Sequence, residues 1–210
     1  MSVAFPPMKR PLVAILRGVK PEESEAIVGV LIDAGMTAIE IPLNSPDPFR
    51  SIATAVKQAP AGVLIGAGTV LTAADVDRLN DAGGKLMVSP NVDTDVLARA
   101  HQHGMVTMPG VFSPTEALLA ARSGASSLKF FPASVLGASG IAAIRAVLPA
   151  GVMIAAVGGV SDQNFAEYIK GGVSAFGLGS SLYKPGMTAA DVAARAKVTI
   201  AAYDRAIAND

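Results

Sequence analysis

The chain reads as an α/β protein, a single-domain (β/α)8 TIM barrel covering residues 1–210, with its barrel units falling between about 12 and 208. Three observations predict this fold. Apolar strand-like runs alternate without a break with segments of helical spacing, a pattern that calls for a parallel sheet covered by helices. Eight such units follow one another at roughly 20–25 residues each, the number that closes a small barrel. No composition shift marks a second domain. An open doubly wound sheet is the alternative, but the first strand–helix junction, Leu16-Arg17-Gly18-Val19, is not the G-x-G-x-x-G of dinucleotide folds.

Taken in order, Leu12-Val13-Ala14-Ile15-Leu16 is a continuous apolar run. Pro21, Glu22 and Glu23 open a helix with proline at its first position and acids at its positive end, and Gly35 stops it. Ala38-Ile39-Glu40-Ile41-Pro42 is the second strand, and a helix follows from Pro48 to Gln58. Val63 to Ala67 and Lys85 to Val88 are the next strands, followed by helices over Ala73–Ala82 and Asp93–His103. Met105 to Met108 leads into a helix whose start, Ser113-Pro114-Thr115-Glu116, is a capping box. Ser126 to Phe131 forms the sixth strand, stopped by Pro132, with a helix from about Ala138 to Leu148. Val152–Ala156 precedes a helix begun near Ser161, and Val173–Gly177 precedes the last helix, Ala189 to Ala208.

Composition narrows the function. Apolar residues make up 51% and charged residues 16% of the chain, as in a compact globular protein. A formal net charge of zero argues against bulk attraction to nucleic acid or anionic membrane, so an anionic ligand must be held by local devices. With no cysteine, thiolate nucleophiles, thiolate metal sites and disulfides are excluded. No transmembrane-length apolar run or signal-peptide core appears, and a cytoplasmic location is the expectation.

Barrel chemistry sits at the C-terminal strand ends. There the sequence places Arg17, Glu40, Thr69, Ser89 and Lys129, with Gly158-Gly159 and Gly177-Leu178-Gly179-Ser180-Ser181 after the last two strands. Side chains alternate along a strand, so Glu40 shares a face with Ala38 and opposes Ile39 and Ile41. Lys129 likewise shares a face with Ser127 and opposes Leu128 and Phe130. Both should point into the barrel mouth. A buried structural ion pair is the bland reading. The chemical reading is an amine that burial helps to deprotonate, beside a carboxyl able to move protons.

The other lysines are weaker candidates: Lys85 opens its strand at the wrong end, while Lys9, Lys57, Lys170, Lys184 and Lys197 sit in polar or terminal contexts. The paired glycine segments suit a phosphate, approached by backbone N–H groups and favoured by a helix N-terminus. His101 and His103 are two apart on a helix and do not share a face, so they read as surface or helix-end residues and not as metal ligands.

These residues also carry a family resemblance. Val13–Gly18, Ile39–Pro46, Ile65–Leu71, Leu128–Pro132, Ala156–Val160 and Gly177–Ser180 resemble the 2-keto-3-deoxy-6-phosphosugar-acid aldolases, and the likeness runs from about Leu12 to Tyr203. The resemblance implies a class I, metal-free and cofactor-free lyase on a (β/α)8 barrel, usually a homotrimer, acting on a phosphorylated keto-deoxy sugar acid. It implies Lys129 as the Schiff-base lysine and Glu40 as the acid/base. Arg17 and Thr69 match positions around the pyruvyl half, and Gly159, Gly179 and Ser180 match phosphate-side positions. Members acting on 6-phosphogluconate typically carry arginine after the acid strand and threonine before the paired glycines. This chain has Asn44 and Val157 there, departures that favour the galactonate epimer, with the gluconate epimer or dual specificity as the alternative. A phosphosugar-binding barrel without catalysis is the reading from another class.

Overall fold

The computed structural model describes residues 2–208, so Met1, Asn209 and Asp210 of the expected unit lie outside the described residues. The strands are β1 (Leu12–Ile15), β2 (Ala38–Pro42), β3 (Leu64–Gly68), β4 (Leu86–Val88), β5 (Val106–Met108), β6 (Gly110–Val111), β7 (Leu128–Phe130), β8 (Ile154–Val157) and β9 (Ala175–Leu178). The helices are α1 (Pro21–Asp33), α2 (Pro48–Gln58), α3 (Ala73–Asp81), α4 (Thr94–Gln102), α5 (Pro114–Arg122), α6 (Ala133–Arg145), α7 (Phe165–Lys170) and α8 (Ala189–Ala208). All strand pairs are parallel, in the order β5-β4-β3-β2-β1-β9-β8-β7-β6.

The described residues thus form nine strands where the sequence predicts eight, because the fifth continues past its predicted end at Met108 into a second short piece, Gly110–Val111. Pro109 has no N–H to give to the ladder, and the strand bends there. Its first half pairs with β4 and its second with β7. The ring is completed by Ser127 N–H donating to Thr107 O at 3.1 Å and Lys129 N–H donating to Pro109 O at 3.0 Å. The result is a barrel and not the open doubly wound sheet.

Strand parity sorts the core into two layers. Val13, Ala38, Leu86, Val88, Val106, Met108, Ala155 and Ala175 fill the inside. Leu12, Ala14, Ile39, Ile41, Leu128, Phe130, Phe176 and Leu178 point outward into the helical layer. The bottom of the barrel is stoppered by the lead-in segment, whose Val3, Phe5 and Met8 pack on the inner cluster. Ser126 Oγ donates to Val3 O and fastens that segment. A bidentate pair, Arg10 Nε and Nη2 to Asp204 at 2.7 Å each, ties it to α8.

The capping box at α5 forms as expected, with Glu116 N–H donating to Ser113 Oγ at 3.3 Å and Ser113 N–H donating to Glu116 Oε2 at 2.8 Å. α6 starts one turn earlier than predicted, and Gly137, at φ 67°, separates that turn from the expected helix. α7 starts at Phe165 and not near Ser161, because Ser161 N–H donates to Asn164 Oδ1 and closes a turn first. Among the described residues, no helix is long and apolar enough to cross a membrane.

Candidate active site

The C-terminal strand ends surround one cavity of about 600 Å³. Its wall carries Arg17, Glu40, Thr69, Lys129, Gly159, Gly179 and Ser180, which the sequence places at the strand ends, all in the same space. Ser89 is not among them: it is buried outside that wall, where its Oγ donates to Asn91 O at 2.7 Å.

Lys129 stands at the middle of β7, 7% exposed. Its inward direction follows from alternation, since Leu128 and Phe130 on either side are buried among the helices. Nζ lies 4.9 Å from the centre of the Phe131 ring. Burial lowers the Lys129 pKa from 10.5 to about 8; the Glu40 charge resists that shift and Arg17 adds to it. An amine so placed is available as a nucleophile near neutral pH.

Glu40 is 3% exposed, at the middle of β2 and two residues before its end. Burial raises its pKa from 4.5 to about 7, opposed by the Lys129 and Arg17 charges and by the Gly68 backbone N–H. Its Oε2 accepts no hydrogen bond among the described residues. The bland reading, a locked ion pair with Lys129, therefore does not describe it: one carboxyl oxygen is buried with no partner. A carboxyl with a pKa near neutrality both gives and takes protons. Gly68 makes room for it, because a Cβ there would stand 2.0 Å from Glu40 Oε2.

Thr69 follows with φ 55°, a left-handed conformation that a β-branched residue rarely adopts. Such backbone strain collects at functional sites, and here it sits on the cavity wall. Arg17 extends from the end of β1, and its Nη1 donates to Asn44 Oδ1 at 2.6 Å.

The opposite wall is the glycine-rich rim. Gly158 and Gly159 have φ of 90° and 81°, and a Cβ at Gly159 would come within 2.5 Å of Ser134 Cβ. After β9 a single turn forms, Leu182 and Tyr183 N–H both donating to Gly179 O at 2.9 Å. That turn uses neither the Ser180 nor the Ser181 amide. Ser181 Oγ donates to Val160 O at 2.9 Å, stitching the two loops together. Arg195 of α8 holds the turn from behind by donating to Ser181 O at 3.1 Å.

The predicted helix N-terminus is not part of the first loop, since α7 is short and begins five residues after Val160. The rim is built from loop backbone and serines, joined by Lys184, which the sequence reading set aside and which lines the cavity. Phe131, Ser161 and Tyr183 were also missed. Phe131 was legible, being two residues from Lys129 on the same face. Lys184 carries no local signal. Tyr183 has its pKa pushed up to about 12 by burial, which keeps the phenol neutral. His103 caps the end of α4 and its Nε2 contacts Asp77 Oδ1 at 2.7 Å, in keeping with a helix-end role.

A buried amine with a lowered pKa, a carboxyl with a raised one and a glycine- and serine-rich rim meet in one cavity; the arrangement suits imine chemistry on an anionic ketone. The chain is 71% identical over 96% of its length, and 95% of the relative's, to a probable 2-dehydro-3-deoxy-6-phosphogalactonate aldolase of Rhizobium meliloti. It is 45% identical to the 2-dehydro-3-deoxy-6-phosphogalactonate aldolase of Escherichia coli, covering 95% of this chain and 97% of that one. A solved structure described as native KDPGal superposes with a TM-score of 0.94 at 44% identity, covering 96% of this chain and 98% of that one. Residues 7–198 match the family described as Aldolase: KDPG and KHG aldolase. The chain belongs to the KDPG and KHG aldolase family, and it is an aldolase, a carbon–carbon lyase.

Proposed function

We propose that this aldolase works through a Schiff base on Lys129 and cleaves 2-dehydro-3-deoxy-6-phospho-D-galactonate to pyruvate and D-glyceraldehyde 3-phosphate. The observation that carries the reading is the pairing of a desolvated Lys129 amine with Glu40, whose pKa burial has raised, in one cavity. Lys129 Nζ attacks the C2 ketone, and Glu40 donates the proton with which the carbinolamine loses water. The carboxylate so formed removes the proton from the C4 hydroxyl. The C3–C4 electron pair then flows into the protonated imine, giving an enamine and releasing the aldehyde. Glu40 returns a proton to C3, and water hydrolyses the imine to free pyruvate and Lys129.

Arg17 holds the carboxylate through its planar pair of donors, and Thr69 borders the pyruvyl half. Gly159, Gly179 and Ser180 receive the phosphate through backbone and hydroxyl donors, with the Lys184 charge beside them. The galactonate assignment rests on the names of the two relatives and on Asn44 and Val157. No step requires a metal or organic cofactor. Residues 1–210 act as one catalytic unit, in a cytoplasmic homotrimer; exposed Leu71 and Phe112, shortly after β3 and β6, and Val135 in the first turn of α6 are apolar surface available to neighbouring copies.

Borohydride trapping tests the chemistry. Reduction in the presence of pyruvate should attach the adduct to Lys129, and an adduct on another lysine, or none, sinks the assignment. The ratio of kcat/KM for the galactonate and gluconate epimers tests the substrate, with a gluconate preference overturning it. Light scattering at several concentrations tests the trimer.

A further inference from the structure

The β1–α1 loop carrying Arg17 is fastened to the β2–α2 loop at two points. Arg17 Nη1 donates to Asn44 Oδ1 at 2.6 Å, and Gly18 N–H donates to Ser45 Oγ at 2.9 Å. Ser45 is buried, and its own N–H donates to Pro42 O at 2.9 Å, so the anchor belongs to the end of the strand that carries Glu40. From the other side the loop rests on Pro185: a Cβ at Gly18 would stand 2.8 Å from Pro185 Cγ. The backbone of Arg17 is thus gripped between two neighbouring loops, and Asn44 fixes the far end of its side chain.

Asn44 is not on the cavity wall, whereas Arg17 is. Its amide therefore acts on the guanidinium and not on substrate. An exposed arginine samples many rotamers, and ordering it during binding weakens the complex; a bond formed beforehand removes part of that loss. The chemistry of the partner also matters. A guanidinium has donors only, so the amide must present its oxygen. A neutral oxygen orients the cation without cancelling its charge, which a carboxylate at the same place would do.

We infer that Asn44 is a positioning residue that holds the Arg17 guanidinium in the orientation that receives the substrate carboxylate. The inference rests on the reading of Arg17 as the carboxylate-binding residue, and the experiment separates the two. Steady-state kinetics on the sugar acid would compare wild type with Arg17→Ala, Asn44→Ala, Asn44→Asp and the Arg17→Ala/Asn44→Ala double variant. Asn44→Ala should raise KM about tenfold, the size of one lost charge-assisted hydrogen bond, with kcat within about twofold. Its melting temperature should be unchanged, since Asn44 is exposed. The double variant should match Arg17→Ala alone, because the amide acts only through that side chain. Asn44→Asp should raise KM further than Asn44→Ala, through neutralisation. If Asn44→Ala leaves KM within about twofold, or if the two single effects multiply, the positioning role is overturned while Arg17 keeps its own. If Arg17→Ala leaves KM unchanged, the carboxylate reading fails and the inference falls with it.

Discussion

Gly68→Ala probes how tightly the Glu40 carboxyl must be placed. A Cβ at position 68 would lie 2.0 Å from Glu40 Oε2 and 2.5 Å from its Cδ, while real Cβ contacts do not fall below 3.0 Å. The carboxyl would therefore have to retreat by about 1 Å or more. It is free to do so because it borders an open cavity, so the cost in stability should sit at the low end of the overpacking range, about 1 kcal/mol. Catalysis should suffer more: a misplacement of that size costs about a hundredfold in rate. The assay is kcat and KM on the phosphorylated sugar acid together with thermal unfolding. A kcat about a hundredfold lower, with a melting point only a few degrees changed, is the expected result. In a Glu40→Gln background the same substitution should change kcat little further, since both act through one group. A Gly68→Ala enzyme with kcat within threefold of wild type would refute the argument that the acid/base oxygen is held by the space this glycine leaves.

Removing the Glu40 charge should move Lys129 in a defined direction. That charge holds the amine pKa up against burial, so in Glu40→Gln the pH dependence of borohydride trapping should shift to lower pH; an upward shift contradicts the assignment. The same substitution alters stability against pH. The Glu40 pKa is raised from 4.5 to about 7 on folding, so its contribution is fully present below 4.5 and is lost as pH rises through 7. Glu40→Gln should gain on wild type across that window in urea unfolding, and a constant difference would count against it. Thr69→Asn should relieve the left-handed strain at φ 55° and raise stability by about 1 kcal/mol, while lowering kcat/KM because the threonine borders the cavity; a lower melting point would refute the strain. Phe5→Ala should cost about 2 kcal/mol in urea unfolding by opening the barrel floor, and a neutral result would mean the lead-in segment does not seal it.

Much of the site was legible because it follows from short-range rules. Period-two alternation turned Glu40 and Lys129 inward with no knowledge of the barrel, and proline, glycine and capping residues marked the ends of most elements. Boundaries drifted where a local hydrogen bond intervened, as when Asn164 delayed α7. The short strand at Gly110–Val111 was not anticipated beyond Met108, because the break at Pro109, which has no N–H, becomes two strands only once there are neighbours on both sides to pair with.

By itself, then, the sequence determined the alternation of strands and helices, the face each strand turns to the axis, and the amine and carboxyl that share it. The tertiary structure alone decided the closure of the ring through Ser127 and Lys129, the stopper of Val3, Phe5 and Met8, the arrival of Lys184 on the rim, and the grip of Asn44 on Arg17. It also decided the acidities. The Lys129 and Glu40 pKa values move because eight helices and a filled barrel exclude water from both groups, and desolvation depends on the whole surrounding volume and not on neighbours in the chain.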